Sequence, residues 1–509
     1  MIFVTPKHDK YHIHTIVATL ICCFNGSLLN LCLAPPKNQS YHNYKISIMK
    51  LAKSAKFWVV SILICIIGYA VSCTKNNQII SNSSGSGSTT LISSKTTTAP
   101  IIDGTIDAVW NTATKLQVTP QVPNPGNGTF EGYIGLSYNV TLRSLYDANN
   151  IYILAEWNDP DQSLLNTPIS YNPATAQWTK QSSNYTFDVN GNVTSIPFNE
   201  DKFGFQWNIN NSIASFASLS CYATCHINPS TDSINNHVSP PVLVTVPAQA
   251  GGNHFTNGPA EKADLWHIHL MQDQVYGYAD DDYIDWAGGQ LNSNGRHSDG
   301  IEITSTTNGV PTYSKVPGSI TNTQTLKITG KTTSVTVPAW VVKGQTNGYA
   351  LMTTNTVAGV SVTALTPGTV TATDGITPAL LVTAVDSVGR LTLSDGSIID
   401  PTLNTGYNTT FDNNGNIIGV GANAIPGLIM QKYQGGRGDI QFKAVYTGTG
   451  WVLELKRALK TSDGGIGDVS VLQDVDFSPL TDVNFGIAVF NKANTAHAIQ
   501  PGLTLHFQQ

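Results

Sequence analysis

Trp451-Val452-Leu453-Glu454-Leu455-Lys456-Arg457 alternates apolar and polar side chains, a period of two that suits a strand with one buried face. The same texture recurs along the chain. Asn150–Trp157 is a β-branched and aromatic run closed by Asn158-Asp159-Pro160, and Asn484–Phe490 and Leu503–Phe507 supply two late strands. No long stretch repeats at the helical period; only a short helix around Cys221 and Cys225 is compatible with the pattern. Many short strands without helices bury their apolar faces sheet on sheet. The expected class is therefore all-β, an antiparallel, immunoglobulin-like sandwich over residues 99–509. Residues from about 305 to 434 are rich in Thr, Val and Gly, with turn signals at Asp374-Gly375, Asp395-Gly396 and Asn413–Asn416. They predict hairpins inserted into the sandwich, with no chemistry of their own.

The N-terminus is set aside before the fold is considered. Lys50, Lys53 and Lys56 precede the apolar run Phe57–Tyr69, which is too short to span a bilayer comfortably. Ala70-Val71-Ser72-Cys73 follows, small residues leading into a cysteine, as at a lipoprotein processing site. This pattern places the start of translation at Met49 and makes residues 1–48 a start-site artefact. Residues 49–72 then form the signal peptide, and Cys73 carries the lipid. Residues 73–98 are Asn-, Ser-, Gly- and Thr-rich and read as a flexible tether. The expectation is an exported outer-membrane lipoprotein facing the periplasm or the exterior.

Charged residues are 12% of the chain, about half the ~25% usual for soluble proteins. A formal net charge of −6 gives no basic footprint, so nucleic acid is excluded as an expected partner. Of seven cysteines, only Cys221 and Cys225 lie beyond Cys73, and His226 follows at once.

That placement carries the chemistry. Two thiols can add across the vinyl groups of a haem, and a histidine directly after the second can reach the iron. The spacer here is three residues, Tyr222-Ala223-Thr224, a rarer form of the motif. The competing readings are a local disulfide and a Cys/Cys/His metal site, although zinc ordinarily takes four ligands. The expected cofactor is one covalent haem c, with His226 as one axial ligand. A second ligand would be His or Met. In Ala263–Met271 a strand would place His267, His269 and Met271 on one face and Trp266, Ile268 and Leu270 on the other. Asp280-Asp281-Asp282 could hold a cation but reads first as a solvated or capping turn. His237, His254 and His297 lie near the motif without supporting spacing. No nucleophile triad, phosphate loop or paired catalytic carboxylates stand out.

These segments together resemble the haem-binding domain family of the ethylbenzene dehydrogenase γ-subunit type, in scattered blocks over residues 99–509. The blocks are Ile102–Trp110, Leu145-Tyr146-Asp147 with Glu156–Pro160, Glu200–Trp207, Lys262–His267, Gly277–Asp282, Arg437–Ile440 and Leu455–Leu459. The opening block is also seen in related carbohydrate-binding sandwiches. The resemblance implies a β-sandwich that holds haem near one end and exchanges electrons with a partner protein. Where the family motif runs Trp-His-Trp-Lys, this chain has Trp266-His267-Ile268-His269. It thus implies Trp266 and His267 beside the cofactor and His269 at the lysine ligand's place, ahead of His267 and Met271. The expected function is lipid-anchored electron transfer rather than catalysis. Two alternatives stand beside it: a carbohydrate-binding sandwich with a structural disulfide, and the haem subunit of a larger oxidoreductase complex.

Overall fold

A computed structural model of the chain describes residues 88–124, 130–226, 233–235, 243–245, 253–256, 258–286, 295–299, 303–307, 310–313, 318–343, 351–353, 361–433, 435–461 and 472–509. Cys73 with the rest of the leader, and His237, fall outside the described residues. Among the described residues no helix is long and apolar enough to cross a membrane.

The main body is a 12-stranded sheet. Eleven strands form its path: β1 (Thr90–Lys95), β2 (Val140–Tyr146), β3 (Asn150–Asn158), β4 (Lys202–Asn208), β5 (Ala263–His269), β6 (Asp280–Ile284), β7 (Arg296–Ser298), β8 (Gln441–Tyr446), β9 (Gly450–Ala458), β10 (Val483–Phe490) and β11 (Ala498–Gln508). Their spatial order is β7-β6-β5-β4-β10-β11-β1-β2-β3-β9-β8, and Leu116–Val118 pairs beside β2. β1 falls within the stretch expected to be tether, so residues 90–95 belong to the sheet because they pair with β11 and β2. The sheet curls until its ends meet. Ala279 and Phe442 donate backbone hydrogen bonds to Ile440 and Gly277, and Tyr278 bridges Gln441. The curl encloses one apolar core and covers most of the edge that an open sheet would leave unpaired.

Strand alternation fills that core. Phe203, Phe205 and Trp207 of β4, Trp266 and Ile268 of β5, Trp451, Leu453 and Leu455 of β9, and Phe485, Ile487 and Val489 of β10 all point inward. Trp207 is the hub, with ring centroids 4.7 Å from Phe485, 5.0 Å from Trp266 and 5.2 Å from Phe477. Such offset and edge contacts add to simple burial.

Hairpins are present within 305–434, and they form more than an insertion into the sandwich. Small sheets between Ser319 and Gln431 pack around two apolar cores of their own. They also recruit Ile169–Asn172, Gln177–Lys180 and Val193–Ser195, from the link between β3 and β4. The second region is therefore built from two separated stretches of sequence. Tyr171 and Trp178 lie in its core beside Val382 and Leu391.

Candidate cofactor site

The strands that fill the core with one face build a cleft with the other. On β4 the outward residues are Lys202, Gly204 and Gln206; on β5 they are Leu265, His267 and His269; on β10 they are Gly486, Ala488 and Phe490. Register aligns them in rows: Ala488, Gly204 and His267 in one, Phe490, Lys202 and His269 in the next. Gly204, Gly486 and Ala488 leave a flat strip without bulk, bordered by histidines.

A roof closes over this floor. Helix α1 (Phe216–Leu219) leads into a 3-10 turn at Ser220–Ala223, and Cys225-His226 then pairs antiparallel with Asn253-His254. The short helix expected near the cysteines is thus present. Ser220 has a left-handed backbone (φ 44°). Its hydroxyl donates to the Phe485 carbonyl at 2.8 Å and accepts from the Gly502 N–H at 2.9 Å, pinning the turn to β10 and β11. Gln206 Nε2 donates to Thr224 Oγ1 at 2.7 Å from the floor. Gly486 makes this approach possible, because a Cβ there would lie 2.7 Å from Ser220 Cβ. Overpacking of this kind costs about 1–3 kcal/mol. In haem-free protein, Gly486→Val should make Cys221 react with a thiol probe on the order of tenfold faster while the far-UV circular dichroism is kept. An unchanged rate would show that the turn is not held this way.

Between floor and roof lies an open-mouthed cleft of about 140 Å³. Cys221, His254, His267, Arg296, Phe490 and His497 are among its lining residues. Cys221 is a free thiol. The side chains of Cys225 and His226 lie outside what is described; their backbone sets Cys225 opposite His254 and His226 opposite Asn253.

The histidines differ in protonation. His497 precedes β11, and its Nδ1 lies 2.6 Å from the Thr495 carbonyl. A carbonyl only accepts, so the ring proton sits on Nδ1 and Nε2 keeps its lone pair. Burial pushes the ring down to about 4, keeping it neutral. At His269, Nδ1 lies 3.2 Å from Asp273 Oδ2, and burial again lowers the ring to about 4. His267 is opposite. Arg296 donates to its Nδ1 at 2.8 Å, which puts the proton on a buried, unpartnered Nε2. Lys202 anchors the turn that carries His497 by donating to the Ala493 carbonyl at 3.1 Å. His497 went unnoticed in the sequence because nothing in its local pattern marks it; it lies 271 positions after His226.

Several sequence expectations need correction. β5 ends at His269, so alternation does not carry Met271 onto the cleft face; it is buried against Met430. His267 and His269 do share a face, with ring centroids 4.1 Å apart, but His269 is not among the cleft-lining residues. Trp266, expected beside the cofactor, is turned to the core by the same alternation and packs on Trp207 and Phe477. Asp280-Asp281-Asp282 is neither solvated nor a turn: it is the buried start of β6. Asp280 pairs with Arg437 and Asp282 with Arg296, while Asp281 faces the interior. His254 lines the cleft, whereas His297 is tied to Asp285 at 3.1 Å.

A small-residue floor, a free thiol on the wall and the neutral His497, with its Nε2 available, are features that a planar, iron-bearing group would use.

Comparison with solved structures returns a family 9 carbohydrate-binding module from Caldicellulosiruptor kristjanssonii. In complex with cellotriose it is 10% identical, with 82% of this chain and 93% of the module covered, at a TM-score of 0.23. In complex with glucose it is 8% identical, with coverage of 82% and 95% and the same TM-score of 0.23. No curated protein matches the sequence. The family model described as ethylbenzene dehydrogenase matches residues 107–501, well over half of the chain. The protein therefore belongs to the ethylbenzene dehydrogenase family, which associates it with an oxidoreductase.

Proposed function

We propose that the protein is a c-type haem protein that transfers electrons and is not itself the catalyst. The observation that carries this reading is the pinning of the Cys221–His226 segment across a cleft that His254, His267 and His497 also line. Cys221 and Cys225 would hold the haem as thioethers, and His226 would ligate the iron. Bound haem would supply one-electron redox chemistry. The chain's own residues fix where it sits: Gly204, Gly486 and Ala488 give it room, and Phe130 and Phe490 line the cleft with apolar surface.

Two side chains qualify for the sixth position. His269 stands where the family resemblance puts a ligand, oriented by Asp273; His497 lines the cleft, oriented by the Thr495 carbonyl. A histidine that donates its other ring proton to a carboxylate or carbonyl is the arrangement ligating histidines adopt. His267 would first have to give up its hydrogen bond to Arg296. Replacing the true ligand by Met should raise the midpoint potential and shift the Soret band. The other position's His→Met variant should leave both unchanged.

The lipid at Cys73 would tether the protein to the outer membrane, facing the periplasm or the exterior, within reach of a redox partner protein. Family membership also favours a second reading, that of haem subunit in a larger oxidoreductase complex. Copurification of a catalytic subunit separates the two. The sugar-binding alternative wants an exposed aromatic platform, yet all eight tryptophans from Trp110 onward are buried.

The primary test is coexpression with a cytochrome c maturation system, a denaturing gel stained for haem and a pyridine haemochrome spectrum. A stained band at the protein's mass is expected. A colourless protein, while a control cytochrome matures in the same cells, would sink the proposal.

A further inference from the structure

On the interior face of the sheet, at the end where β5, β6 and β9 come together, carboxylates gather without enough cations to match them. Asp264 of β5, Asp281 of β6 and Asp474, which lies between β9 and β10, each place an oxygen within 4.8 Å of the others. All three are buried, at 0%, 0% and 4% exposure, and Asp299 lies beside them at 2%. One guanidinium answers them: Arg457, 3.2 Å from Asp264 Oδ2 and 2.8 Å from Asp474 Oδ1. The excess is three negative charges.

One of these side chains has no partner to explain its burial. Among the described residues no donor reaches either oxygen of Asp281, and Asp264 Oδ1 is also unmatched, while Asp299 stands against Asp474. Asp264 Oδ2, by contrast, is held by the Val475 N–H at 2.9 Å as well as by Arg457. Buried carboxylates are ordinarily paired or bound to metal. Oxygens that share a cation at 2.3–2.6 Å can lie no more than about 5 Å apart, so three oxygens all within 4.8 Å of one another are close enough to share one ion. The donors are all hard oxygens, which disfavours zinc and copper. Magnesium keeps several of its waters and suits a dry, carboxylate-rich enclosure poorly, whereas calcium accepts irregular oxygen coordination.

We propose that Asp264, Asp281 and Asp474, with Asp299 beside them, form a structural calcium site inside the curled sheet. The site does not depend on the haem reading, because it uses the opposite face of β5 from His267 and His269. The ion ties β5 and β6 to the segment after β9 and to the loop after β7. Without it, burial would push Asp281 and Asp299 well up from the usual carboxylate range, so that they would be held as neutral acids.

The test uses the whole exported protein, purified with calcium, passed through a desalting column and analysed for metal. We expect about one calcium per chain and a thermal midpoint that falls by several degrees in excess EGTA. Asp281→Asn, nearly the same in shape, should lose the ion and the EGTA response together. Should that variant fail to fold, Asp299→Asn and the calcium content of the wild type give the answer. Terbium is the second probe: excitation of Trp266, which lies against Arg457, should sensitise its emission in the wild type but not in the variants. Wild-type protein without calcium or any EGTA response would overturn the proposal. So would variants at Asp281 and Asp299 that keep a full equivalent of calcium.

Discussion

Replacing Cys221 and Cys225 together by alanine is expected to abolish haem staining of the denatured band completely. Thioether bonds survive detergent and heat, whereas a haem held only through its iron is released when the ligands unfold. Each single variant should keep a weaker band through its remaining thioether. The fold should survive the double change. Cys221 lies at the cleft wall outside the main apolar core, and its turn is held by Ser220, Gln206 and Gly486 rather than by the sulfur. The far-UV spectrum and thermal midpoint of the haem-free forms should therefore match. A double variant that stains as strongly as the wild type would show that the haem is attached elsewhere or not covalently.

Arg457→Met should cost about 3–5 kcal/mol of stability, because removing one partner of a buried ion pair strands the other. The guanidinium is fully buried between Asp264 and Asp474 and lies over the rings of Trp266 and Phe477 at 5.2 and 5.6 Å. Methionine fills most of that volume, so the loss reports charge more than packing. The deficit should also depend on pH. Burial raises Asp264 to about 7 even though Arg457 pulls it down, against about 3.9 in an unfolded chain. A carboxylate whose folded value is raised binds more protons when folded, so stability falls as pH rises from about 4 to about 7. Without Arg457 the raised values rise further. In EGTA, the gap between wild type and variant should therefore widen from pH 5 to pH 7.5. Comparing the two proteins cancels the histidines, which titrate in the opposite sense. A deficit below about 1 kcal/mol at pH 7.5, or one that shrinks as pH rises, would contradict the pairing.

The strands were legible because their signal is local. Alternation at Trp451–Arg457 and the β-branched, aromatic run at Asn150–Trp157 give the elements β9 and β3; the single buried face does not follow, because Glu454 and Arg457 are buried as well. The shared face of His267 and His269 was legible for the same reason. Met271 was not, because alternation holds only while the strand continues, and β5 stops two residues short of it. The acidic triplet misled for a related cause. Asp280-Asp281-Asp282 carries no apolar mark of burial, and Arg296 from the neighbouring strand β7 and Arg437 from the turn Gly435–Gly438 let Asp282 and Asp280 lie inside.

By itself the sequence determined that the chain is all-β, that Cys221 and Cys225 stand together before a histidine, and that His267 and His269 share a strand face. Each of these rests on spacing within a few residues, where backbone geometry leaves little choice. Tertiary structure alone decided which residues meet: His497 and Cys221 on one cleft, residues 169–195 joined to the later hairpins, and four aspartates around Arg457. Such meetings depend on how a curled sheet brings remote strands into register, and no local pattern encodes the partner.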